Sequence, residues 1–170
     1  MADLKKKFSK IYDKYVEKIY RFIFLKVDSQ ETAQDLTAQV FTKVWDKFRK
    51  SNRTENKIEN PIAYLYQVAR GEIANYHRQK SKFQIISTEA IQLSDSQPTL
   101  EENFVLQGEF QILRKRLAEL SEDYQNVIIW RYLDGLSIKE IAQIMEKSKG
   151  AVRVMLHRAL KELRERMEKL

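Results

Sequence analysis

A chain of 170 residues has room for one ordinary domain or two small ones. With no cysteine it is without disulfide frameworks, thiolate metal sites and cysteine nucleophiles. His77 and His157 are the only imidazoles, too few for a multi-histidine metal centre. The formal charge of +7, with a pI near 9.5, points to acidic or phosphate-bearing partners.

No apolar run approaches the roughly 20 residues of a membrane span. The first residues, Met1 to Phe8, alternate charge and apolar side chains rather than building a signal-peptide core. The expectation is a soluble, cytoplasmic chain. Four glycines and two prolines make it helix-friendly, and nothing in it announces a catalyst, a cofactor or a metal.

Along the chain, Phe8, Ile11, Tyr12, Tyr15, Ile19, Phe22 and Ile23 step by three and four, as one face of a helix requires. Val27-Asp28-Ser29 interrupts the pattern and offers a cap for the next helix. That second helix carries Ala33, Leu36, Val40, Phe41, Val44, Trp45 and Phe48 on its apolar side, with Gln34, Asp35, Ala38, Gln39 and Thr42 opposite. Residues 50–60 are polar and without period. Pro61 suits the first turn of a third helix, whose stripe is Ile62, Leu65, Val68/Ala69, Ile73 and Tyr76. The helix ends in the basic, aromatic run Tyr76 to Lys82.

Residues 83–103 lose the helical period and read as a linker with little fixed structure. Beyond them, Leu106, Phe110, Leu113, Leu117 and Leu120 open a second helical module. Ser121 caps a helix through Tyr124, Val127, Ile128 and Arg131-Tyr132, which Asp134-Gly135 stops. Ser137 with Glu140 makes a capping-box pattern ahead of Ile138, Ile141, Ala142 and Met145. After Glu146-Lys147-Ser148 a long helix runs through Val152, Met155, Leu156, Ala159, Leu160, Leu163 and Met167.

Charge follows the same division. Residues 1–80 hold 17 Lys/Arg against 10 Asp/Glu, residues 81–109 one against five, and residues 110–170 13 against nine. Two basic modules therefore flank an acidic connector.

The sharpest local pattern is the helix–turn–helix at 137–158. Ala142 is the small residue where the two helices cross, and Val152 with Met155/Leu156 packs the second against the first. Ser148, Lys149, Arg153 and His157 are left facing outward. Such a second helix enters a major groove, where Arg153 can pair with guanine while Lys149 and Arg158 hold phosphates. An ordinary helical hairpin with a solvated basic face is the plainer alternative, and Glu146 stands in the turn where Gly is common. Tyr76, His77, Arg78 and Lys80 combine stacking surface with positive charge, as single-stranded nucleic acid needs. Asn52, Arg53 and Asn56, expected nearby, offer hydrogen bonds to an unstacked base. A basic helix end also simply complements the helix dipole. A dimeric repressor using only the helix–turn–helix, or an enzyme acting on nucleic acid, stays open at this point.

Three stretches narrow the choice. Ala33 to Trp45 resembles the most characteristic part of sigma region 2, Asn60 to Arg70 resembles the start of its promoter-melting helix, and Leu117 to Ala159 resembles sigma region 4. In order and with a linker between, they make the chain similar to a bacterial RNA polymerase sigma factor of the extracytoplasmic-function group. The resemblance implies an all-α fold of two small helical domains joined by a flexible linker. One is a region 2 three-helix bundle (residues 1–82), the other a region 4 helix–turn–helix (105–170), with an acidic linker at 83–104.

By the same resemblance, Asp35, Leu36 and Gln39 dock the polymerase clamp coiled coil. Asn52, Arg53, Asn56, Tyr76, His77, Arg78 and Lys80 engage the −10 element and its melted strand. Ser148, Lys149, Arg153, His157 and Arg158 address the −35 element. Core RNA polymerase, through its clamp and flap, promoter DNA and an anti-sigma factor are the implied partners of a chain that is monomeric when free and not an enzyme. Ala38 and Gln39 depart from the family's usual Gln and Glu, Tyr64 from Trp, and Gly71 from Asn. In the recognition helix, Val154 and Met155 replace a polar and a basic residue.

Overall fold

A computed structural model describes residues 1–54, 57–86 and 105–169, and all regular structure among them is helical. The chain divides into two compact units, Met1–Ser96 and Gln97–Leu170.

The first unit is a bundle of α1 (Ala2–Phe24), α2 (Gln30–Ser51) and α3 (Pro61–Ile86), each packed on the other two. The helical spacing read from the sequence brings one stripe of each helix inward: Tyr15, Ile19, Phe22 and Ile23 of α1, Ala33, Leu36, Val40, Phe41 and Val44 of α2, and Leu65, Ala69 and Ile73 of α3 are all buried, and Tyr66, outside the stripe expected for α3, is fully buried beside them. Fully buried side chains such as Ile19 and Phe22 each contribute about 1.5–3 kcal/mol of transfer free energy. Aromatic edges knit α1 to its neighbours, with Tyr12 and Phe41 ring centres 4.9 Å apart and Tyr15 perpendicular to Tyr66 at 6.4 Å.

Caps set the helix starts. Ser29 Oγ accepts from Thr32 N at 3.1 Å to begin α2. Asn60 Oδ1 accepts from Ala63 N at 3.0 Å, just ahead of Pro61. Leu25 and Val27 are themselves buried, so the α1–α2 turn is anchored in the core rather than looped out from it. Two expectations change here. Tyr12, read as part of the buried series, is 44% exposed. Helix α3 continues through residues 83–86, which the loss of apolar period had assigned to the linker. The rest of that linker, 87–104, lies outside the described residues, as does Asn56.

The second unit comprises α4 (Val105–Ala118), α5 (Glu122–Ile128), a π-helical turn (Ile129–Leu133), α6 (Ile138–Met145) and α7 (Lys149–Glu168). Helix α7 packs on α4, α5 and α6. The sequence reads as one regular helix from Ser121 to Asp134, but its last turn is π. Asp134 N donates to Ile129 O at 3.0 Å, and Leu136 N reaches Trp130 O at 2.8 Å. Asn126 through Trp130 are five consecutive buried residues, more than one stripe of an amphipathic helix supplies. Within the π turn itself Ile129 and Trp130 are buried while Arg131 and Tyr132 are exposed, so only its first residues pack inward.

Candidate nucleic-acid interface

In the second unit, α6 begins with the reciprocal capping box expected of it. Glu140 N donates to Ser137 Oγ at 3.0 Å and Ser137 N to Glu140 Oε1 at 3.3 Å. Gly135 (φ 70°) ahead of the helix and Glu146 (φ 55°, ψ 42°) at its end both adopt left-handed backbone. The turn therefore takes the conformation glycine favours although its residue is Glu146, with Lys147 N donating to Ala142 O at 3.0 Å. Two residues later Ser148 Oγ accepts from Ala151 N at 3.1 Å and starts α7.

Ile141, Ala142 and Ile144 of α6 and Val152, Leu156 and Ala159 of α7 are buried, which fixes the rotation of α7 about its axis. Ser148, Lys149, Arg153, His157 and Arg158 are all exposed. Nine residues, 2.5 turns, separate Lys149 from Arg158, so they sit on opposite rims of the helix. Arg153 and His157, one turn apart, lie between. Val154, 50% exposed, occupies the middle of the outward face. The sequence signal for it was an apolar residue out of phase with the buried stripe. An exposed, capped helix with cations at both rims and an arginine between them can lie in a duplex groove, contacting backbone on each side.

In the first unit, the outward face of α2 presents Asp35 and Gln39, both exposed. Leu36 corrects the surface assignment: it is buried beneath them and supports that face from the core. Beside it, Tyr12, Val16 and Tyr20 of α1 and Gln34, Ala38 and Phe41 of α2 line a mainly apolar groove of about 410 Å³. The small side chain of Ala38 leaves it open. Tyr12 was missed as a surface residue because its spacing fits the core stripe.

The residues expected to engage a melted strand do not converge. Asn52 caps the C-terminal end of α2 and Arg53 follows it, both exposed. Tyr76, His77, Arg78 and Lys80 lie toward the opposite end of the bundle, because α3 runs back along α2. Sixteen residues of helix from Pro61 to His77 span about 24 Å. The expected proximity of residues 50–60 to the basic helix end is therefore overturned by helix length.

Within the basic group the side chains also part. His77 and Arg78 are exposed, the latter donating to Asn75 Oδ1 at 3.3 Å. Tyr76 and Lys80, one turn apart, continue the inward stripe of α3 and meet the α1–α2 turn. Tyr76 Oη donates to Asp28 Oδ2 at 3.2 Å, and Lys80 Nζ forms an ion pair with the same oxygen. Burial pushes the Tyr76 phenol above its usual range, with a hydrogen bond to Thr32 acting the other way. The phenol thus stays protonated and able to donate at neutral pH.

Elsewhere on α3, the buried Glu72 carboxylate pairs with Lys43 of α2. Among the described residues no three His, Asp or Glu side chains group as metal ligands. None of the described helices is long and apolar enough to cross a membrane.

The first unit is a three-helix bundle with an exposed polar face on α2, and the second is a helix–turn–helix whose second helix turns basic side chains outward, the build of a DNA-binding module. Residues 11–83 match Sigma-70 region 2, and residues 110–163 match Sigma-70 region 4. The chain belongs to the sigma-70 family of RNA polymerase sigma factors, in its extracytoplasmic-function group.

It is 31% identical over 163 residues to RNA polymerase sigma factor YlaC of Bacillus subtilis, covering 94% of this chain and 91% of that one. To ECF RNA polymerase sigma factor BldN of Streptomyces coelicolor it is 27% identical over 92% of its own length but spans only 58% of that protein. The fold matches that of the sigma factor RpoE from Bartonella quintana, solved in complex with the anti-sigma factor NepR, with a TM-score of 0.66, 22% identity and coverage of 96% and 98%. CnrH, solved with the cytosolic domain of CnrY, matches with a TM-score of 0.68 and 14% identity, over 97% and 90% of the two chains.

Proposed function

We propose that this chain carries core RNA polymerase to a subset of promoters, with residues 1–82 serving core binding and −10 strand capture and residues 105–170 reading −35 duplex. Residues 83–86 complete α3, and residues 87–104 lie between the two in sequence. The observation that supports this best is the rotation of α7, which exposes Ser148, Lys149, Arg153, His157 and Arg158 together while Val152, Leu156 and Ala159 are buried. Arg153 pairs with a base edge, Val154 supplies apolar contact of the kind a thymine methyl accepts, and Lys149 and Arg158 hold phosphates on either side.

In the first unit, Asp35, Gln39 and the groove beside them meet the clamp coiled coil of the polymerase. The second unit meets its flap. The −10 residues form a track rather than a cluster. Asn52 and Arg53 hold one end of the strand and His77 and Arg78 the other, across the length of α3. Binding energy for the unstacked strand shifts the duplex toward the open form without bond chemistry, so the chain is not an enzyme. It works in the cytoplasm as a monomer when free, held in check by an anti-sigma factor.

Run-off transcription with purified core polymerase on a promoter library tests the reading. Specific start sites should depend on the chain. Arg153→Ala should cost about 1–3 kcal/mol at the preferred −35 sequence and relax the preference at one base pair. Lys149→Ala should weaken all promoters alike and flatten the salt dependence by about one contact's worth. A chain that neither binds core nor alters initiation at any start site would overturn it.

A further inference from the structure

Asp28 has an unusual position for an acid in a strand-binding unit. Its turn is anchored by the buried Leu25 and Val27, and the start of α2 is already capped by Ser29. The carboxylate therefore does not serve as the helix cap. Its oxygen Oδ2 instead takes both the Tyr76 hydroxyl and the Lys80 ammonium. Thr32, which accepts from Ser29 Oγ at 2.8 Å, adds a second hydroxyl beside Tyr76. Hydroxyl and ammonium donors converging on one anionic oxygen are the set that holds a nucleic-acid phosphate. The pair is half open to solvent, the Asp28 and Lys80 side chains being 50% and 38% exposed. An exchange of anions at this place is thus sterically open, and the ion pair that must yield is a weak, screened one.

We infer that Asp28 is an internal competitor for the DNA backbone, occupying the place where Tyr76 and Lys80 would otherwise hold a phosphate of the melted strand. The inference rests on the reading of α3 as a strand-binding helix. With Asp28 in place the local charge sums to zero, and a strand gains little there until the carboxylate is displaced. The acid thereby sets the threshold for strand capture: a promoter must supply enough contact elsewhere, at His77, Arg78 and the far end of α3, to draw Lys80 away. Thr32 and Tyr76 remain as neutral donors in either state.

The test is Asp28→Asn, which keeps an oxygen for Tyr76 and removes the charge. Binding of a short fluorescent single-stranded DNA of randomised sequence is followed across a salt series, with the full chain assembled on core polymerase and core alone as the control. Asp28→Asn should tighten binding about threefold at low salt and steepen the slope of log affinity against log salt by about 0.7, the value for one more phosphate neutralised on a single strand. Lys80→Ala should erase that gain in the Asp28→Asn background. A merely structural staple gives the opposite pattern: unchanged slope, with equal or weaker binding, overturns the inference. A urea unfolding curve of each variant shows whether weaker binding reflects loss of folding, and Asp28→Glu, which restores the charge, should return the native slope. Arg78→Ala separates the two readings. If it weakens binding while Asp28→Asn leaves the slope alone, the strand-binding helix stands and the competitor falls. If neither substitution alters binding, both fall.

Discussion

Glu146 holds a left-handed backbone between α6 and α7, φ 55° and ψ 42°, where an L side chain crowds its own carbonyl. Glycine in this place would be free of that strain, and the Glu146 side chain is exposed, so little packing would be lost. Glu146→Gly should stabilise the second unit by about 1 kcal/mol, allowing for the greater freedom glycine adds to the unfolded chain. A rise in the urea midpoint at constant slope is the measurement. The residue also shows what spacing does and does not reveal. A break in the apolar period located the turn, but the sign of φ at its residue is set by the need of α7 to fold back on α6. Tyr76 belongs to the same lesson. Its aromatic ring and basic neighbours suggested a stacking platform, while its hydroxyl is in fact committed to Asp28, 48 positions away.

At the scale of elements, α3 carries two features with measurable consequences. Gly71 lies in the helix interior, exposed, and a β-carbon there would meet nothing within 4 Å. Gly71→Ala should therefore stabilise the first unit by about 0.5–1 kcal/mol through helix propensity alone, read as a higher melting temperature with unchanged core binding. One residue on, Glu72 is buried and pairs with Lys43 across the α2–α3 contact. Removing the cation leaves the carboxylate with less compensation. Lys43→Met should cost about 1–2 kcal/mol, discounted because the lysine is itself more than half exposed. Adding Glu72→Gln in the double variant should recover part of the loss in a denaturation cycle. Helix α3 also explains why the −10 set failed to gather. Both its flanks were legible as polar and basic, but a helix of 26 residues keeps its ends apart.

For the molecule as a whole, each unit has its own core. The buried side chains of the first come from α1, α2, α3 and the α1–α2 turn. Residues 1–86 expressed alone should remain helical and unfold cooperatively, and they should retain affinity for core polymerase. A fragment without a cooperative transition by circular dichroism would show that the first unit needs the second to fold.

Helix number in the first unit, the caps at Ser29, Ser121 and Ser137, the stop at Gly135 and the exposed basic face of α7 were all determined by the order of residues, because local periodicity and side-chain-to-backbone hydrogen bonds act over three or four positions. The burial of Leu36, the exposure of Tyr12, the π-helical turn at Ile129–Leu133 and the joining of Tyr76 and Lys80 to Asp28 were decided only in the folded chain. They depend on which helices lie against one another and on how far each runs, and no spacing within a single helix carries that information.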